Sequence, residues 1–365
     1  MKTIPAYKYI SQEWHQLEHE RVFAAHWIFL GLKTELVGLR YLGVMIGNVG
    51  IILQLDARGV PRAFRNVCSH RSSRLCDLGV HEGIIRCPYH GWSYDRQGIP
   101  INVPSMSAFP QVILNPSDYR LEEYPCEAAG QFIFAKLKRQ GPSLQDYLGN
   151  QYDFIVSASE GFSSLTDIFE ETLDANWKVA VENALEGYHV PLVHSRTFMA
   201  VDGMDNRSTA PVFDITDNLH SSLQHAANED WIRRFARIER QIGTWPGRFE
   251  GYTHRLIFPN LTVTSFMGYS YHIQVFNPER VCSTRVVSRT MGVKFKESSE
   301  VGQRMIKKIY EDGHEFTRRV FKEDAEICKE VQFGLEQSPK IVAFGQGIED
   351  RVKHFHHAYM SLLQS

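Results

Sequence analysis

The segment "NVCSHRSSRLCDLGVHEGIIRCPYHGW", from Asn66 to Trp92, restricts the fold more than any other part of the chain. Cys68 and His70 form a Cys-x-His pair, Cys87 and His90 form a Cys-x-x-His pair, and strand-like sequence flanks both. Two hairpin tips, each presenting one thiolate and one imidazole, require a small rigid β scaffold built around a metal. Ligand count alone favours zinc held by two Cys and two His. Cys76 and His81 fit neither loop position and read as packed or incidental. Cys126, Cys282 and Cys328 stand isolated, as buried thiols do, and six cysteines in 365 residues are too sparse for a disulfide framework.

The chain is long enough for about two domains, with 43% hydrophobic and 22% charged residues. A formal charge of -2, with Lys and Arg scattered among Asp and Glu, offers no basic field for nucleic acid. The opening residues lack an apolar signal core, and no apolar run reaches the ~18 residues of a membrane span, so a cytoplasmic protein is expected. Helical spacing covers Ser11 to Phe29. From Glu35 to Leu137 the texture is short β-rich runs, with Gly47–Gly50 and Asp56–Gly59 reading as hairpin turns. A second region carries a helix from Asp174 to His189, strands between Leu256 and Arg289 with a turn at Asn277–Arg280, and a long helix from Ser299 to Leu335. The expected architecture is α+β. Residues 1–34 form a helical segment packing on the larger domain, 35–140 an antiparallel β domain with the Cys/His loops, and 141–365 the larger domain.

The run "DANWKVAVENALEGYHVPLVH", from Asp174 to His194, is the second informative stretch. Glu182, Glu186 and His189 share one face if it is helical. His189 and His194 are separated by about 500° of helical rotation, but Pro191 cannot continue a regular helix, and its kink can return one imidazole to the other. In the long helix, Phe316, Val320, Ile327 and Val331 mark an apolar stripe, and Asp324 falls on it. A carboxylate there needs a cation, whereas Glu323, Glu326 and Glu330 can point to solvent. Two readings stay open: an ion pair with an Arg such as Arg319 or Arg285, or two His and one carboxylate forming the facial set that holds Fe(II) and leaves positions for O2 and substrate.

The residues around the first ligands decide against zinc, because "CSHR" followed by "CPYHGW" resembles the Rieske signature of a 2Fe-2S cluster. The whole chain resembles the catalytic α subunit of the Rieske non-haem iron oxygenases, the ring-hydroxylating and demethylating family. Four motifs match in order over nearly the full length: "RVFAAHWIFLG", the loops "NVCSHR" and "CPYHGWSYD", "NWKVAVENALEGYHVPLVH", and "EDAEICKEVQFGLEQ".

That resemblance implies a Rieske domain beside a helix-grip (START-like) catalytic domain with an antiparallel sheet and a long C-terminal helix. Cys68, His70, Cys87 and His90 are implied as cluster ligands, and His189, His194 and Asp324 as ligands of one mononuclear non-haem Fe(II) per subunit. It also implies a homotrimer in which the electron crosses between subunits through a carboxylate three residues before the first iron histidine. Most relatives have Asp there; this chain has Glu186. Ser73 and Tyr89 stand where high-potential relatives have disulfide cysteines, and Trp92 where they have a serine, which points to a low cluster potential. No G-x-G-x-x-G fingerprint occurs, so NAD(P)H is expected to act through a separate reductase, with a ferredoxin as a further carrier.

The implied activity is O2-dependent hydroxylation or oxidative demethylation of a small organic substrate. The alternative is attack on an aromatic ring or aromatic acid. The pattern Glu-x-x-His leans towards quaternary ammonium substrates. Phe266, Tyr269 and Tyr271 are available for a cation cage, although strand aromatics are more often core. Glu182 and Asn183 are candidate liners of the iron site, and the segment Met199–Gln241 is expected to cover the pocket. His354, His356 and His357 read as surface or packing residues. A pure electron carrier would need only the first ~140 residues.

Overall fold

In the computed structural model, residues 3–198, 212–214, 219–227, 229–296, 298–337 and 343–364 are described. They divide into one unit of Glu18–Tyr147 and another of Met1–Leu17 with Leu148–Ser365. The division therefore runs through the N-terminal segment. Its helix is shorter than its periodicity suggests: Gln12–Glu18 is α-helical, His19–Phe23 a π-helical turn, and Ile28–Leu32 already a strand. That strand, "IFLGL", pairs with Phe132–Ala135, and all five of its residues are buried.

Glycine and aspartate punctuate the strands of the first unit. Strands β1 (Arg40–Ile46) and β2 (Val49–Leu55) form a hairpin. Its turn needs Gly47, which has φ +56° and whose added Cβ would lie 2.7 Å from His19 Nδ1. Asp56 Oδ1 then accepts the N–H groups of Arg58 and Val60, both at 2.9 Å, turning the chain into β3 (Pro61–Arg65). Asp95 repeats the device with Gln97 and Ile99, both at 2.8 Å. The result is one five-stranded and two three-stranded sheets. Their core includes Phe64, Trp92, Tyr94 and Val112 together with Cys68 and Cys87.

The second unit is organised by a seven-stranded antiparallel sheet. In chain order its main strands are β4 (Phe162–Leu173), β5 (Ser221–His225), β6 (Tyr252–Ile257), β7 (Leu261–Phe266), β8 (Ser270–Arg280) and β9 (Ser283–Val293). Two differences from the sequence reading stand out. Asn277–Arg280 is not the turn: β8 continues to Arg280, with a bulge between Pro278 and Arg280 that accommodates the proline. Strand β4 was not anticipated, because it is an edge strand with exposed Glu170 and Glu171 and lacks a clean apolar alternation.

Helix α1 (Trp177–Leu185) starts where the Asn176 side chain accepts the N–H of Lys178 at 3.0 Å. It stops at Leu185, not His189, so Glu186 and His189 are not companions on a helix face. Helix α2 (Glu300–Glu336) is capped by Ser299 and spans about 55 Å. Its buried positions are Gly302, Cys328 and Gln332. Val331, expected on the apolar stripe, is 45% exposed. Asp324 instead stands on the line of Cys328 and Gln332, each four residues on, and Gln332 Oε1 accepts Asn176 N–H at 3.0 Å.

One face of the large sheet carries both long helices. Asp167, Thr290, His272, Thr264 and His254 are successive cross-strand partners on it. From α2, Arg318 pairs with Asp167 and Phe321 packs on Phe169 at 5.6 Å. From α3 (Asp350–Gln364), Arg351 reaches His254 and Phe355 packs on Phe258. Tyr271 and Arg255, on the other face, pack against Phe162 and Phe154.

Candidate metal centres

The two Cys/His loops of the first unit share one plan. Cys68 N–H donates to Ser73 O and Cys87 N–H to Trp92 O, both at 2.8 Å; Ser72 and Gly91 donate back to the two cysteine carbonyls, both at 3.0 Å. The residue four after each cysteine is left-handed, Ser72 at φ +56° and Gly91 at +74°. Asn66 braces the first loop: its Oδ1 accepts Leu75 and Cys76 N–H and its Nδ2 donates to Cys76 O. Cys76 is thus packing, its thiol pushed up to about 11 by burial. His81 stacks on Tyr41 and does not join the ligands.

Cys68 and Cys87 are buried and unpaired, His70 is half-buried and His90 exposed. The two imidazoles lie 4.7 Å apart, and His70 stacks on Trp92 at 4.9 Å. His70 Nδ1 is a buried atom with no hydrogen-bond partner among the described residues. Burial holds the His70 imidazole below its ordinary pKa, with the positive charges of His90 and Arg71 adding to it. Burial opposes the Cys87 thiolate, but the backbone N–H groups of His90 and Tyr89 outweigh it and lower its pKa. A His70 imidazole held below its ordinary pKa, with an orphaned nitrogen and the stabilised Cys87 sulfur beside it, fits a 2Fe-2S group, although burial raises the Cys68 thiol. One feature differs from expectation: the Tyr94 hydroxyl lies 3.0 Å from Cys68 Sγ, a hydrogen bond to a candidate ligand sulfur that the sequence did not reveal.

In the second unit His189, His194 and Asp324 converge, each offering a ligand atom within 4.8 Å of the others. His194 Nε2 and His189 Nε2 lie 3.0 and 3.6 Å from Asp324 Oδ1. Yet that buried oxygen has no partner in hydrogen-bond geometry among the described residues. Two imidazole nitrogens and a carboxylate oxygen gathered this closely are a donor set that suits a cation. Neither Arg takes Asp324: Arg285 pairs with Glu170 and Arg319 donates to Arg196 O.

Carboxylates aim both rings. Glu186, extended after α1, binds His189 Nδ1 through Oε1, and its Oε2 accepts the N–H groups of Tyr188 and His189. It thereby starts the single helical turn Val190–Val193 that brings His194 round, His194 N–H donating to Val190 O at 3.0 Å. Glu323 Oε2 lies 2.7 Å from His194 Nδ1 and accepts the Thr197 hydroxyl at 2.6 Å. Glu323 does not point to solvent, as the sequence reading had it. Nδ1–H on each ring turns each Nε2 lone pair inward. Burial pulls the His189 imidazole down, but Asp324 and Glu186 outweigh it and push it up to about 9; the His194 imidazole is raised by Asp324 and Glu323 in the same way. Burial opposes the Asp324 carboxylate, yet the two histidines hold its pKa below the usual range. Two imidazoles and one carboxylate with open positions fit a mononuclear Fe(II).

Other candidates fall elsewhere. Glu182 Oε1 accepts the Tyr9 hydroxyl at 2.5 Å and lies 3.0 Å from His356 Nε2, so His356 is packing. Asn183 is half-buried on α1. Phe266 and Tyr269 pack on Phe235, and Tyr271 on Phe162, as core aromatics. A cavity of about 300 Å³ lined by Phe154, Phe249, Thr253 and Tyr271 includes none of the converging ligands. Of the segment 199–241, residues 199–211, 215–218 and 228 lie outside the described residues.

Residues 26–125 match the Rieske [2Fe-2S] domain, and residues 151–365 match the ring hydroxylating alpha subunit (catalytic domain). The chain is 26% identical over 365 residues to choline monooxygenase, chloroplastic, of Atriplex hortensis, covering 97% of this chain and 76% of the relative. It superposes on the quaternary ammonium Rieske monooxygenase CntA in complex with L-carnitine with a TM-score of 0.77 at 20% identity, over 99% of this chain and 96% of the other. With naphthalene 1,2-dioxygenase from Rhodococcus sp. the TM-score is 0.79 at 21% identity, over 99% and 94%. No helix among the described residues is long and apolar enough to cross a membrane. An electron-storing domain ahead of an oxygen-activating one, each with candidate ligands that suit its iron, places this chain in the ring-hydroxylating alpha-subunit family, as the terminal oxygenase of a Rieske non-haem iron system.

Proposed function

We propose that this oxygenase hydroxylates an N-methyl carbon of a quaternary ammonium substrate. O2 accepts two electrons from NAD(P)H through a separate reductase, with or without a ferredoxin. One oxygen atom enters the C–H bond, the other leaves as water with two protons, and the unstable carbinol releases formaldehyde and the tertiary amine. The assembly is a cytoplasmic homotrimer. The observation that carries the reading is the convergence of His189, His194 and Asp324 around a buried, unpartnered carboxylate oxygen. The likeness to choline monooxygenase and to CntA supports the substrate class.

Cys68, His70, Cys87 and His90 would hold the cluster, and His189, His194 and Asp324 would hold the iron. When bound, the two groups supply electron storage and O2 activation. The chain's own residues do the rest. Exposed His90 is the outlet of the first unit. Glu186, with one methylene more than Asp, keeps its charge at His189 Nδ1 and bridges to His90 of a neighbouring subunit. Glu323 and Thr197 fix His194 so that its ring cannot rotate away from the centre.

The test is oxygen uptake by the holoenzyme with a surrogate reductase, scored against formaldehyde for trimethylammonium compounds and for aromatic acids. Coupled uptake with the first group supports the reading; coupling only with aromatic acids would replace it with ring hydroxylation.

A further inference from the structure

The face of the large sheet turned away from α2 holds a cavity of its own. Thr253 on β6, Ser265 on β7 and Tyr271 on β8 are successive cross-strand partners, so their side chains stand in one row. Along the strands they alternate with His254, Thr264 and His272, which belong to the face that carries α2 and with it Asp324. Threonine and serine beside tyrosine are too small to fill the row. The hollow has a volume of about 300 Å³ and is bordered by Phe154 and Ser157 of the helix Asn150–Glu160 and by Arg248 and Phe249 just before β6.

One polar group inside it is unfilled. Thr253 is 2% exposed, and its Oγ1 is a buried atom with no hydrogen-bond partner among the described residues. Ser265, next in the row, spends its hydroxyl on Ser270 O at 2.6 Å. A threonine hydroxyl both donates and accepts, and leaving it buried and unpaired is unfavourable, so a ligand oxygen there would be held. Tyr271 is also 2% exposed, and burial pushes its hydroxyl up to about 12, so it stays neutral.

The surrounding charges select against ions of either sign. The Arg255 guanidinium lies over the Phe154 ring at 3.8 Å and Arg248 stands in the wall, so a cation would meet two guanidinium groups. Glu239 holds Arg248 at 2.6 Å and Glu250 lies 3.6 Å from it, so an anion would meet two carboxylates. A neutral molecule meets neither objection. Phe154, Phe249 and Tyr271 offer ring faces and edges to another ring, and a cavity of about 150 Å³ is already enough to hold benzene.

We propose that this cavity is a second binding site, apart from the candidate iron centre, for a small neutral arene that carries a hydroxyl group, with phenol as the simplest member. The ring fills the aromatic hollow and the hydroxyl pairs with Thr253 Oγ1. This goes beyond the substrate reading above and does not depend on it, because the strands of the sheet separate the two faces.

The test is calorimetric titration of the holoenzyme with phenol and with toluene, which replaces the hydroxyl by a methyl group, and with benzoate and tetramethylammonium as charged controls. The expected result is binding of one phenol, about 10-fold tighter than toluene, with both ions weaker still. Thr253→Val, of nearly the same shape, should abolish the preference for phenol, and Asp324→Asn should leave phenol binding unchanged. Ser157→Trp, at an exposed helix position on the cavity's edge, should weaken phenol and toluene alike by about 10-fold or more. No phenol binding, equal binding of phenol and toluene by the wild type, or tighter binding of either ion overturns the site. So does a phenol preference that survives Thr253→Val. Phenol binding lost in Asp324→Asn and kept in Ser157→Trp would place the arene at the iron centre and also overturn it. Should Thr253→Val not fold, the wild-type comparison and Ser157→Trp decide alone.

Discussion

Between Cys68 and His90 the chain supplies four candidate ligands in one short stretch, whereas the catalytic unit draws its three candidates from positions 189, 194 and 324. The first centre is framed by backbone: paired N–H···O=C bonds shape both loops, and Asn66 ties one of them down. The second is framed by side chains, with Glu186 and Glu323 each gripping the outward nitrogen of one imidazole. A centre made of backbone turns tolerates change around it as long as the turns form. A centre aimed by carboxylates depends on charges that lie outside the ligand set.

The largest expected effect separates the two centres outright. Asp324→Asn should lose the mononuclear iron and lower oxygenation by about three orders of magnitude or more, while the visible spectrum of the cluster stays unchanged. Metal analysis beside the spectrum checks it. Loss of both signals together would show that the centres are not assembled independently.

Acid should act on the catalytic unit through its buried histidines. Burial lowers the His272 imidazole from its ordinary 6.5 to about 4, and that of His254 well below its ordinary value. Between pH 6.5 and 4 the unfolded chain binds the His272 proton and the folded chain does not. Stability is therefore full above about 6.5 and falls as pH drops towards 4, by on the order of 3 kcal/mol from this group. Thermal unfolding across that range, with His272→Gln flattening the slope, is the measurement.

Next in size are the carboxylates that aim the rings. Glu323→Gln should weaken iron retention about 10- to 100-fold, since the amide can present the wrong atom to His194 Nδ1 and carries no charge. Glu186→Gln should slow coupled electron transfer while leaving the cluster spectrum intact; an unchanged coupled rate removes the bridging role. On the cluster side the counterpart is a hydroxyl. Tyr94→Phe removes the bond to Cys68 Sγ, worth about 1 kcal/mol to the reduced state, and should lower the potential by about 40 mV in a redox titration.

How much was legible in the sequence follows the same contrast. The Rieske domain and its candidate cluster ligands could be proposed from the sequence because the chemistry is local and each loop has its own spacing. The three candidate iron ligands could be read from a kinked pair of histidines and a misplaced aspartate, but the reasons were partly wrong. The α1 helix ends before Glu186, and Val331 is exposed, so neither a shared helix face nor that apolar stripe makes the site. Glu323 was missed because adjacent acidic residues on a helix give no sign of which one turns inward; only Thr197 and His194, brought in from elsewhere, decide it. Tyr94 was missed because its hydroxyl matters only once β pairing sets it under Cys68. Strand β4 was missed because edge strands keep polar residues on the open face.

The smallest effect probes whether backbone shape alone holds the cluster loops. Ser72 and Gly91 occupy matching places with φ of +56° and +74°, yet only one is glycine. A left-handed non-glycine residue costs about 1–2 kcal/mol, and replacing it with glycine adds about 0.4–1 kcal/mol of unfolded-state entropy against folding. Ser72→Gly should therefore change stability by at most about 1.6 kcal/mol, in the stabilising direction, with no change in the cluster spectrum. Gly91→Ala acquires the same backbone cost, offset by about 0.4–1 kcal/mol of lost unfolded-state entropy, and its Cβ would sit 3.3 Å from Arg86 Nη2 and 3.4 Å from Pro104 Cγ. It should lose about 1–2 kcal/mol in a denaturant titration. A destabilised Ser72→Gly would mean that the serine side chain holds its loop, and the symmetry of the two turns would then be one of shape and not of cause.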